Sequence, residues 1–542
     1  MASSVLFAAA LPSVLAGALV IAIVGFKCHP LLLAGLRSLV SRIVNAILLY
    51  RYPFKHTEQS SRLPSLPYVF PDGQGIVEKF MHGRANSAKW EAEYGSLYRL
   101  WSGTKSEVGH LMHSLLGSCL GLINGETWAT VKKCVEAPFL HAAMSASAVD
   151  VQVFTRAYMR SLAKDVDEFR RFGKLRPVRD LKLLPFLLVA KVIYGLLPSS
   201  LEQELIDLIP PRETLFKSVI SGGITRFGLS RFLPLPEIRA LHEFKDRFAD
   251  WSSRAHAHAL CHPGLCGTTA PVITMYEALE QGKVTKEQLL QTLDEMLFAN
   301  IDVTMGGLSW LLVFLAAHPA LQQTLRDEIR TQSATPSACH DYLVSSRTVA
   351  PDLLGACILE SARLRPFTAF SIPQACPTPR VLDGFEIPAG TNYIVDSYAL
   401  NVRDPFWGPD REHFNPQRWR EQHARGHDLR YRYWRFGFGP RTCLGKNLTD
   451  LILRSVAVEM LSNWCISLQD TSEVGGKVRE QGTDGIVKEN VELPWDHESW
   501  IHQPDSLLVC RPLMNEGEGL SRIGLDEPAI EDPPIVDSMS AT

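Results

Sequence analysis

The pattern of hydrophobic and polar positions divides the chain into an apolar N-terminal end, a long body and a polar C-terminal tail. Residues 5–26 carry no charge and are long enough to cross a bilayer core of about 30 Å. A second apolar run, 31–50, is interrupted by Arg37 and Arg42. We therefore expect a helix that lies at the membrane interface, with a second span as the alternative. The tail 515–542 is acidic and lacks an apolar pattern, which predicts disorder.

The most distinct element of the body is a long helix that follows Thr285. Thr285 and Gln288 match a capping box, and Pro319 marks the end of the helical pattern. A run of about 33 residues predicts a helix about 50 Å long. Asp302 lies in the apolar middle of this helix, where a lone carboxylate is costly to bury. The residue therefore either faces solvent or has a chemical role.

Strand patterns are short and scattered. Residues 93–101 look like a strand entered through a Gly turn, and 507–510 look like a closing strand. The segment 51–71 is rich in Pro and Ser, which is typical of a linker.

Composition and charge narrow the class of protein. The chain has 542 residues, 46% hydrophobic and 21% charged, and a net charge of −3, so no basic surplus points to nucleic acid. Eleven cysteines are too sparse for a disulfide framework and their number is odd. We therefore expect them to be mostly reduced, as in a domain that faces the cytosol.

Basic residues set the expected membrane orientation. No basic residue precedes the apolar run 5–26, and five follow it: Lys27, Arg37, Arg42, Arg51 and Lys55. The positive-inside rule then places the body of the protein in the cytosol. A cleaved signal peptide is the alternative, because the Ala and Ser residues of the run offer cleavage sites.

The candidate chemistry centres on Cys443, in the glycine-rich stretch 436–445 (FGFGPRTCLG). An amphipathic run follows, and a helix that begins there would point its free N–H groups toward the sulfur, which favours the thiolate. A thiolate held in this way is a metal ligand, and one of its common roles is the axial ligand of a haem iron. A buried structural cysteine is the alternative, and it leaves the three glycines and the nearby Arg441 unexplained.

This stretch resembles the haem-binding loop of the cytochrome P450 monooxygenases. Its pattern is Phe-x-x-Gly-x-Arg-x-Cys-x-Gly, whose fixed positions are filled by Phe436, Gly439, Arg441, Cys443 and Gly445. The resemblance implies a mainly α fold with a small β region and an N-terminal transmembrane helix. It also implies a haem b whose iron is bound by the thiolate of Cys443.

The patterns described above and the resemblance together predict four parts of the chain. They are a membrane anchor and interfacial segment (1–50), a linker (51–71), the haem-thiolate monooxygenase domain (72–514) and a disordered acidic tail (515–542).

Two further motifs of the family occur in order. Trp128 and Lys132 lie four residues apart, hence on one helical face, and match a Trp-x-x-x-Arg pattern that binds a haem propionate. Lys keeps the charge of that Arg but lacks its planar fork. Glu360 and Arg363 match a buried Glu-x-x-Arg pair that Arg418 closes, although pairs at this spacing are also common on exposed helix surfaces.

The long helix departs from the family pattern Ala/Gly-Gly-x-Asp/Glu-Thr, in which an acid and an alcohol deliver protons to dioxygen. Asp302 fills the acid position, whereas Asn300 replaces Gly and Val303 replaces Thr. The nearest hydroxyl, on Thr304, comes one residue late, about 100° further round the helix. Either a local helix distortion brings Thr304 round, or Asn300 and water substitute, or the chemistry is unusual.

The reaction implied is insertion of one oxygen atom from dioxygen into a small organic substrate. A partner NADPH–cytochrome reductase would supply electrons through NADPH and flavins. By this resemblance Cys443 would be the metal ligand, and Phe436 would bind the cofactor as part of the same loop. Arg441, Trp128 and Lys132 would bind the propionates, and Asp302 and Thr304 would manage protons.

The N-terminal anchor and the run 298–304 are similar to fungal microsomal members that make secondary metabolites, including diketopiperazine and epipolythiodioxopiperazine toxins. The implied location is the endoplasmic reticulum membrane, single-pass, with the catalytic domain in the cytosol. Oxidative coupling, dehydrogenation or ring closure without net hydroxylation is the alternative reaction. A haem-binding sensor or carrier without turnover is the alternative from another class.

Overall fold

The computed structural model describes residues 30–70, 73–75, 77–101, 109–262, 264, 267–345, 351–426, 429, 431–469, 493–496 and 500–513. The predicted span 5–26 and the predicted tail 515–542 lie outside these residues. The chain divides into two compact units. Unit 1 contains residues 1–78, 89–104 and 373–393, and unit 2 contains residues 79–88, 105–372 and 394–542. The four-part division of the sequence stays a prediction.

Helices dominate the described residues, as the resemblance implied. In chain order they are α1 (Pro30–Arg51), α2 (Gly83–Tyr94), α3 (His110–Leu116), α4 (Gly125–Val135), α5 (His141–Ala146), α6 (Ala148–Asp165), α7 (Asp167–Phe172), α8 (Pro177–Asp180), α9 (Leu183–Tyr194), α10 (Ser199–Ile206), α11 (Ile209–Ser221), α12 (Pro236–Ala259), α13 (Pro271–Glu280), α14 (Lys286–Ala299), α15 (Met305–Ala317), α16 (Pro319–Gln332), α17 (Pro336–Val344), α18 (Leu353–Leu364), α19 (Gln417–Ala424) and α20 (Lys446–Asn463).

The strands are short and antiparallel. β1 (Lys174–Leu175), β7 (Leu508–Pro512) and β6 (Trp464–Leu468) form a three-stranded sheet in the order β1-β7-β6. Within unit 1, β2 (Gln374–Ala375) pairs with β5 (Asn392–Tyr393), and β3 (Arg380–Leu382) pairs with β4 (Phe385–Ile387). The predicted closing strand is therefore present as β7.

The expected strand at 93–101 is wrong. Glu93 and Tyr94 end helix α2, and in the rest of this range Arg99 alone makes a bridge, to Ser65. The guanidinium of Arg99 donates to the Ser65 hydroxyl at 3.0 Å and lies 4.5 Å from the ring centroid of Trp101. The backbone of Arg99 also bonds to Pro64 and Leu66, both at 2.8 Å, so backbone and side-chain contacts together hold the segment at a single bridge.

Helix α1 forms where the second apolar run was found. It exposes an apolar stripe at helical spacing, while Ser41 and Asn45 accept hydrogen bonds from the backbone N–H groups of Phe70 and Tyr68. Residues 33–51 match a membrane span in length and composition. The stripe comprises Leu36, Leu39, Ile43, Ile47 and Tyr50.

The long helix is present where its pattern predicted it. Thr285 makes the capping box with Gln288, and α14 runs into a π turn at Asn300–Thr304 that continues directly as α15. Together they span 32 residues, and 72% of their most apolar stretch is buried. Helix α15 is buried almost all round, as expected for the central helix of a large core.

Candidate functional site

The turn that carries Cys443 is closed by its own backbone. The Cys443 N–H donates to the Phe436 carbonyl at 2.8 Å, across a single 3₁₀ turn at Gly439–Arg441. Gly437 and Gly439 have φ angles of +76° and +67°, a left-handed conformation that favours glycine. The space beside Gly439 is open, so a flat ligand could approach the backbone there.

Helix α20 begins directly after this turn, with Gly445 at its N-cap position. The Cys443 side chain is exposed, yet it is surrounded by enough protein that burial raises the pKa of its thiol, whereas the Gly445 N–H lowers it. An accessible sulfur that is surrounded by protein and lies next to the Gly445 N–H is suited to bind a metal as the thiolate.

Three further predicted residues come together beside the turn. The guanidinium of Arg441 lies 4.2 Å from the ring centroid of Trp128, and the ammonium of Lys132 lies 5.3 Å from it. Arg441 also donates to the Ile123 carbonyl at 2.8 Å and to the Asn124 side chain at 2.9 Å. The indole of Trp128 is thus in contact with two cations that belong to different elements.

Lys132 adds a contact with the turn itself. Its ammonium donates to the Pro440 carbonyl at 3.3 Å and pairs with Glu136 at 3.3 Å. The thiol, the open glycine backbone and the two cations are the groups that a haem requires: an axial ligand, a flat surface and partners for two carboxylates. The residues present therefore fit that cofactor.

A buried ion-pair network lies behind the cysteine turn. Arg363 forms a two-pronged pair with Glu360, with both N–O distances 2.8 Å, and Arg418 lies 3.3 Å from the same carboxylate. Glu360 and Arg363 are fully buried and Arg418 is 4% exposed. Trp419 Nε1 and the Asn415 N–H also donate to Glu360, at 3.0 and 3.1 Å. The predicted triad is present, and additional donors satisfy its carboxylate.

Asn401 connects this network to the cysteine turn. Arg363 donates to the Asn401 carbonyl at 2.8 Å, and the Asn401 side chain makes two hydrogen bonds to the backbone of Trp434, both 2.7 Å. Trp434 precedes Phe436 by two residues, so a continuous set of hydrogen bonds leads from the buried Glu360 to the half-buried start of the turn. Asn401 was not among the residues predicted for the site.

The long helix contains the local distortion that its sequence allowed. The five residues Asn300–Thr304 form a π turn, which inserts one residue into the helical ladder and turns the following residues back by about 100°. Within it, the Thr304 hydroxyl donates to the Asn300 side-chain oxygen at 2.7 Å, and Asn300 in turn donates to the Met296 carbonyl. Asn300, which replaces the Gly of the family pattern, and the displaced Thr304 are therefore hydrogen-bonded to each other.

Asp302 is held from a distant part of the chain. Trp500 Nε1 donates to its carboxylate at 2.9 Å, and Gln503 donates to its backbone carbonyl at 3.4 Å. Burial raises the pKa of Asp302, and the Trp500 hydrogen bond lowers it. Asp302 and Thr304 thus use separate partners, and Val303 between them is half-buried.

Polar and charged side chains of the long helix also act on the cysteine turn and on the segment 118–121. Glu295, one turn before Ala299, accepts the Gly121 N–H at 2.9 Å, and its charge contributes to raising the pKa values of Arg441 and Cys443. Gln291 and Thr292 accept further backbone N–H groups of the same segment, from Ser118 and Leu120. These acceptors fasten residues 118–121 to the long helix.

Among the residues predicted for the site, the structure brings together Trp128, Lys132 and Arg441. Phe436 contacts Cys443 through its backbone, and its ring lies 4.3 Å from the Arg435 guanidinium. Trp500 was not predicted, because a lone tryptophan 198 residues from Asp302 carries no local signal.

Comparison with known proteins gives the following matches. A sequence model of the family described as Cytochrome P450 matches residues 119–492. The cytochrome P450 monooxygenase aclC of Aspergillus oryzae is 41% identical, over 86% of this chain and 95% of its own. The cytochrome P450 monooxygenases asaD of Aspergillus flavus and gliC of Aspergillus fumigatus are 38% and 32% identical. These two matches cover 87% and 88% of this chain, and 90% and 94% of theirs.

Proposed function

The chain belongs to the cytochrome P450 family and is a monooxygenase, and from this premise we propose its cofactor residues, its substrate class and its place in the cell. The observation that supports this proposal most directly is the accessible thiol of Cys443, which lies in an open glycine turn next to Arg441, Trp128 and Lys132. The reaction is insertion of one oxygen atom from dioxygen into a small organic molecule.

In this proposal Cys443 would hold a haem b through its thiolate. Haem bound through a thiolate supplies the activation of dioxygen. Arg441 and Lys132 neutralise the propionates, and Trp128 orients both cations. Phe436 closes the turn through its carbonyl, and the N-terminus of α20 stabilises the thiolate.

Proton supply belongs to the π turn. Asp302 lies in a largely buried setting that raises its pKa above that of an exposed aspartate, so its carboxyl group takes up a proton more readily there. The π turn compensates for the position of Thr304, which comes one residue late in the sequence. The hydrogen bond to Asn300 fixes the direction of the Thr304 hydroxyl. Asn300 takes part in the function as the acceptor of that bond.

The substrate is a secondary metabolite of a fungus, and the class we propose is a diketopiperazine or an epipolythiodioxopiperazine. Matches to fungal monooxygenases along most of the chain support this choice. Comparing metabolites of a deletion strain with those of its parent tests it. The accumulated compound should lack one oxygen atom relative to the product, whereas a loss of hydrogen alone would indicate coupling or ring closure.

The protein receives electrons from NADPH through the flavins of a membrane-bound NADPH–cytochrome reductase, and it lies on the endoplasmic reticulum with its catalytic domain in the cytosol. The exposed apolar stripe of α1 supports membrane association. Phe227, Leu229 and Phe232 are also exposed, and the neighbouring Arg231 suits a surface with anionic lipids.

The spectrum of the reduced protein with carbon monoxide tests the ligand. The wild type should show the red-shifted Soret band of a thiolate-bound haem, and Cys443→Ser should lose it completely. Cys465→Ser, at a half-buried cysteine in β6, serves as the matched control and should keep the band. A normal band from Cys443→Ser would overturn the assignment.

A further inference from the structure

A short segment near the C-terminal end, 500–503, lies along the long helix and contacts it at several points. Trp500 and Gln503 donate to Asp302, and Trp310 Nε1 donates to the His502 carbonyl at 3.0 Å. Ile501 packs against Gly306, where an added Cβ would lie 2.9 Å from the Ile501 side chain. The close approach of this segment therefore depends on a glycine one turn after Asp302.

The Trp500 hydrogen bond is important because of what the neighbouring charges do. Lys182 and Arg212 both act to lower the pKa of Asp302, and Glu213 acts to raise it. Arg212 is paired with the buried Asp294 at 2.8 Å, however, and Lys182 is paired with Glu213 at 2.7 Å. The cations near Asp302 are thus bound to other carboxylates, and a neutral indole N–H contacts this one directly.

Aromatic contacts fix the orientation of the indole. Phe80 and Phe216 meet Trp500 edge to face, with ring centroids 5.9 and 5.5 Å away and interplanar angles of 78° and 64°. Phe216 lies on α11, the helix whose Arg212 is joined to Asp294 of the long helix. Three elements therefore hold the indole with its N–H directed at Asp302.

We propose that Trp500 is a positioning residue for proton supply: its indole N–H holds the Asp302 carboxylate in one orientation and favours its ionised form. Because Phe216 contacts the same ring, α11 takes part in setting that orientation. This inference rests on the proposed role of Asp302 and adds to it a residue that no local motif marks.

Difference infrared spectroscopy of the full-length, haem-loaded protein tests the proposal without turnover. The carboxyl band of Asp302 is identified as the band lost in Asp302→Asn, and its intensity is followed with pH. Trp500→Phe keeps an aromatic ring but removes the donor, so the midpoint of this band should rise by about one pH unit. Trp500→His supplies a ring N–H again and should restore part of the shift.

Trp310→Phe is the matched control. It removes an indole donor between the same helix and the same segment, but the donor serves the His502 carbonyl and not Asp302. The midpoint in Trp310→Phe should equal that of the wild type. Equal midpoints in Trp500→Phe and the wild type would overturn the proposal, and so would equal shifts in both tryptophan variants.

The carbon monoxide spectrum of every variant separates this inference from the proposed function. A thiolate-type band in Trp500→Phe shows that the haem site is intact, so an unshifted carboxyl midpoint then counts against Trp500 alone. If the wild type itself lacked that band, the proposed cofactor site would fail, while the infrared comparison would still decide whether Trp500 controls Asp302.

Discussion

The cysteine side of the site (Glu360, Arg363, Asn401 and Cys443) and the helix side (Asn300, Asp302, Thr304 and Trp500) are held by different means. On the cysteine side, buried charges are paired and connected through Asn401 to the backbone of the turn. On the helix side, neutral donors hold the polar groups, one from a distant segment. Buried ion pairs support the cysteine side, whereas a few hydrogen bonds from neutral donors determine the arrangement of the helix side.

The largest expected effect comes from breaking the support of the cysteine side. Arg363→Leu leaves Glu360 buried with Arg418 as its remaining cation, and loss of one member of a buried pair costs about 3–5 kcal/mol. The free energy of unfolding in urea, measured on the detergent-solubilised protein, should fall by about that amount.

Arg330→Leu is the control for this change. Arg330 pairs with Asp327 at the same i,i+3 spacing, but the two side chains are 69% and 58% exposed. Its removal should cost less than about 1 kcal/mol. Equal losses in the two variants would show that burial does not distinguish these pairs.

The same two pairs show what the sequence could and could not predict. Glu360–Arg363 and Asp327–Arg330 have one spacing and cannot be distinguished by pattern. The resemblance to a family singled out the buried pair, and the structure confirms its burial. The long helix with its capping box was predictable, because its signals are local.

The partner of Asp302 was not predictable, because it depends on how distant parts of the chain meet. Trp500 lies in the chain between β6 and β7, and the pairing of these strands returns this part of the chain to the core, where Trp500 contacts the long helix. A helix distortion was one of three interpretations left open by the displaced Thr304. The structure contains it as a π turn in which Thr304 is hydrogen-bonded to Asn300, and the route of proton supply stays a prediction. The strand expected at 93–101 was wrong because helix α2 continues to Tyr94 and the backbone pairing of this range is limited to a single bridge between Arg99 and Ser65.

The next largest effect concerns the cations beside the cysteine turn. Arg441→Ala should speed haem loss by about tenfold, because this guanidinium is held by Trp128 and by the Ile123 carbonyl, ready to bind a propionate. Lys132→Ala should speed it by only about two- to threefold, since Lys132 is also paired with Glu136. Transfer of haem to an excess of a scavenger protein measures both rates.

Lys133→Ala is the control for these two variants, because Lys133 lies on the same helix but is exposed. Its rate of haem loss should match that of the wild type. If Lys132→Ala lost haem as fast as Arg441→Ala, the ammonium would serve as fully as a guanidinium, and the cysteine side would not depend on planar pairing.

The smallest effect we expect concerns the helix side, where the hydrogen bond between Thr304 and Asn300 is partly buried and uncharged. A double-mutant cycle of Thr304→Val and Asn300→Ala should give a coupling of about 1 kcal/mol in the free energy of unfolding. Gln203 and Asp207 provide the reference, since they form an exposed i,i+4 hydrogen bond of 2.9 Å. Their coupling should be about 0.2–0.5 kcal/mol.

A Thr304–Asn300 coupling no larger than this would mean that the helix backbone and the Trp500 segment maintain the π turn. The displaced hydroxyl would then be a consequence of the turn, and Asp302 with Trp500 would be left as the group that sets proton supply.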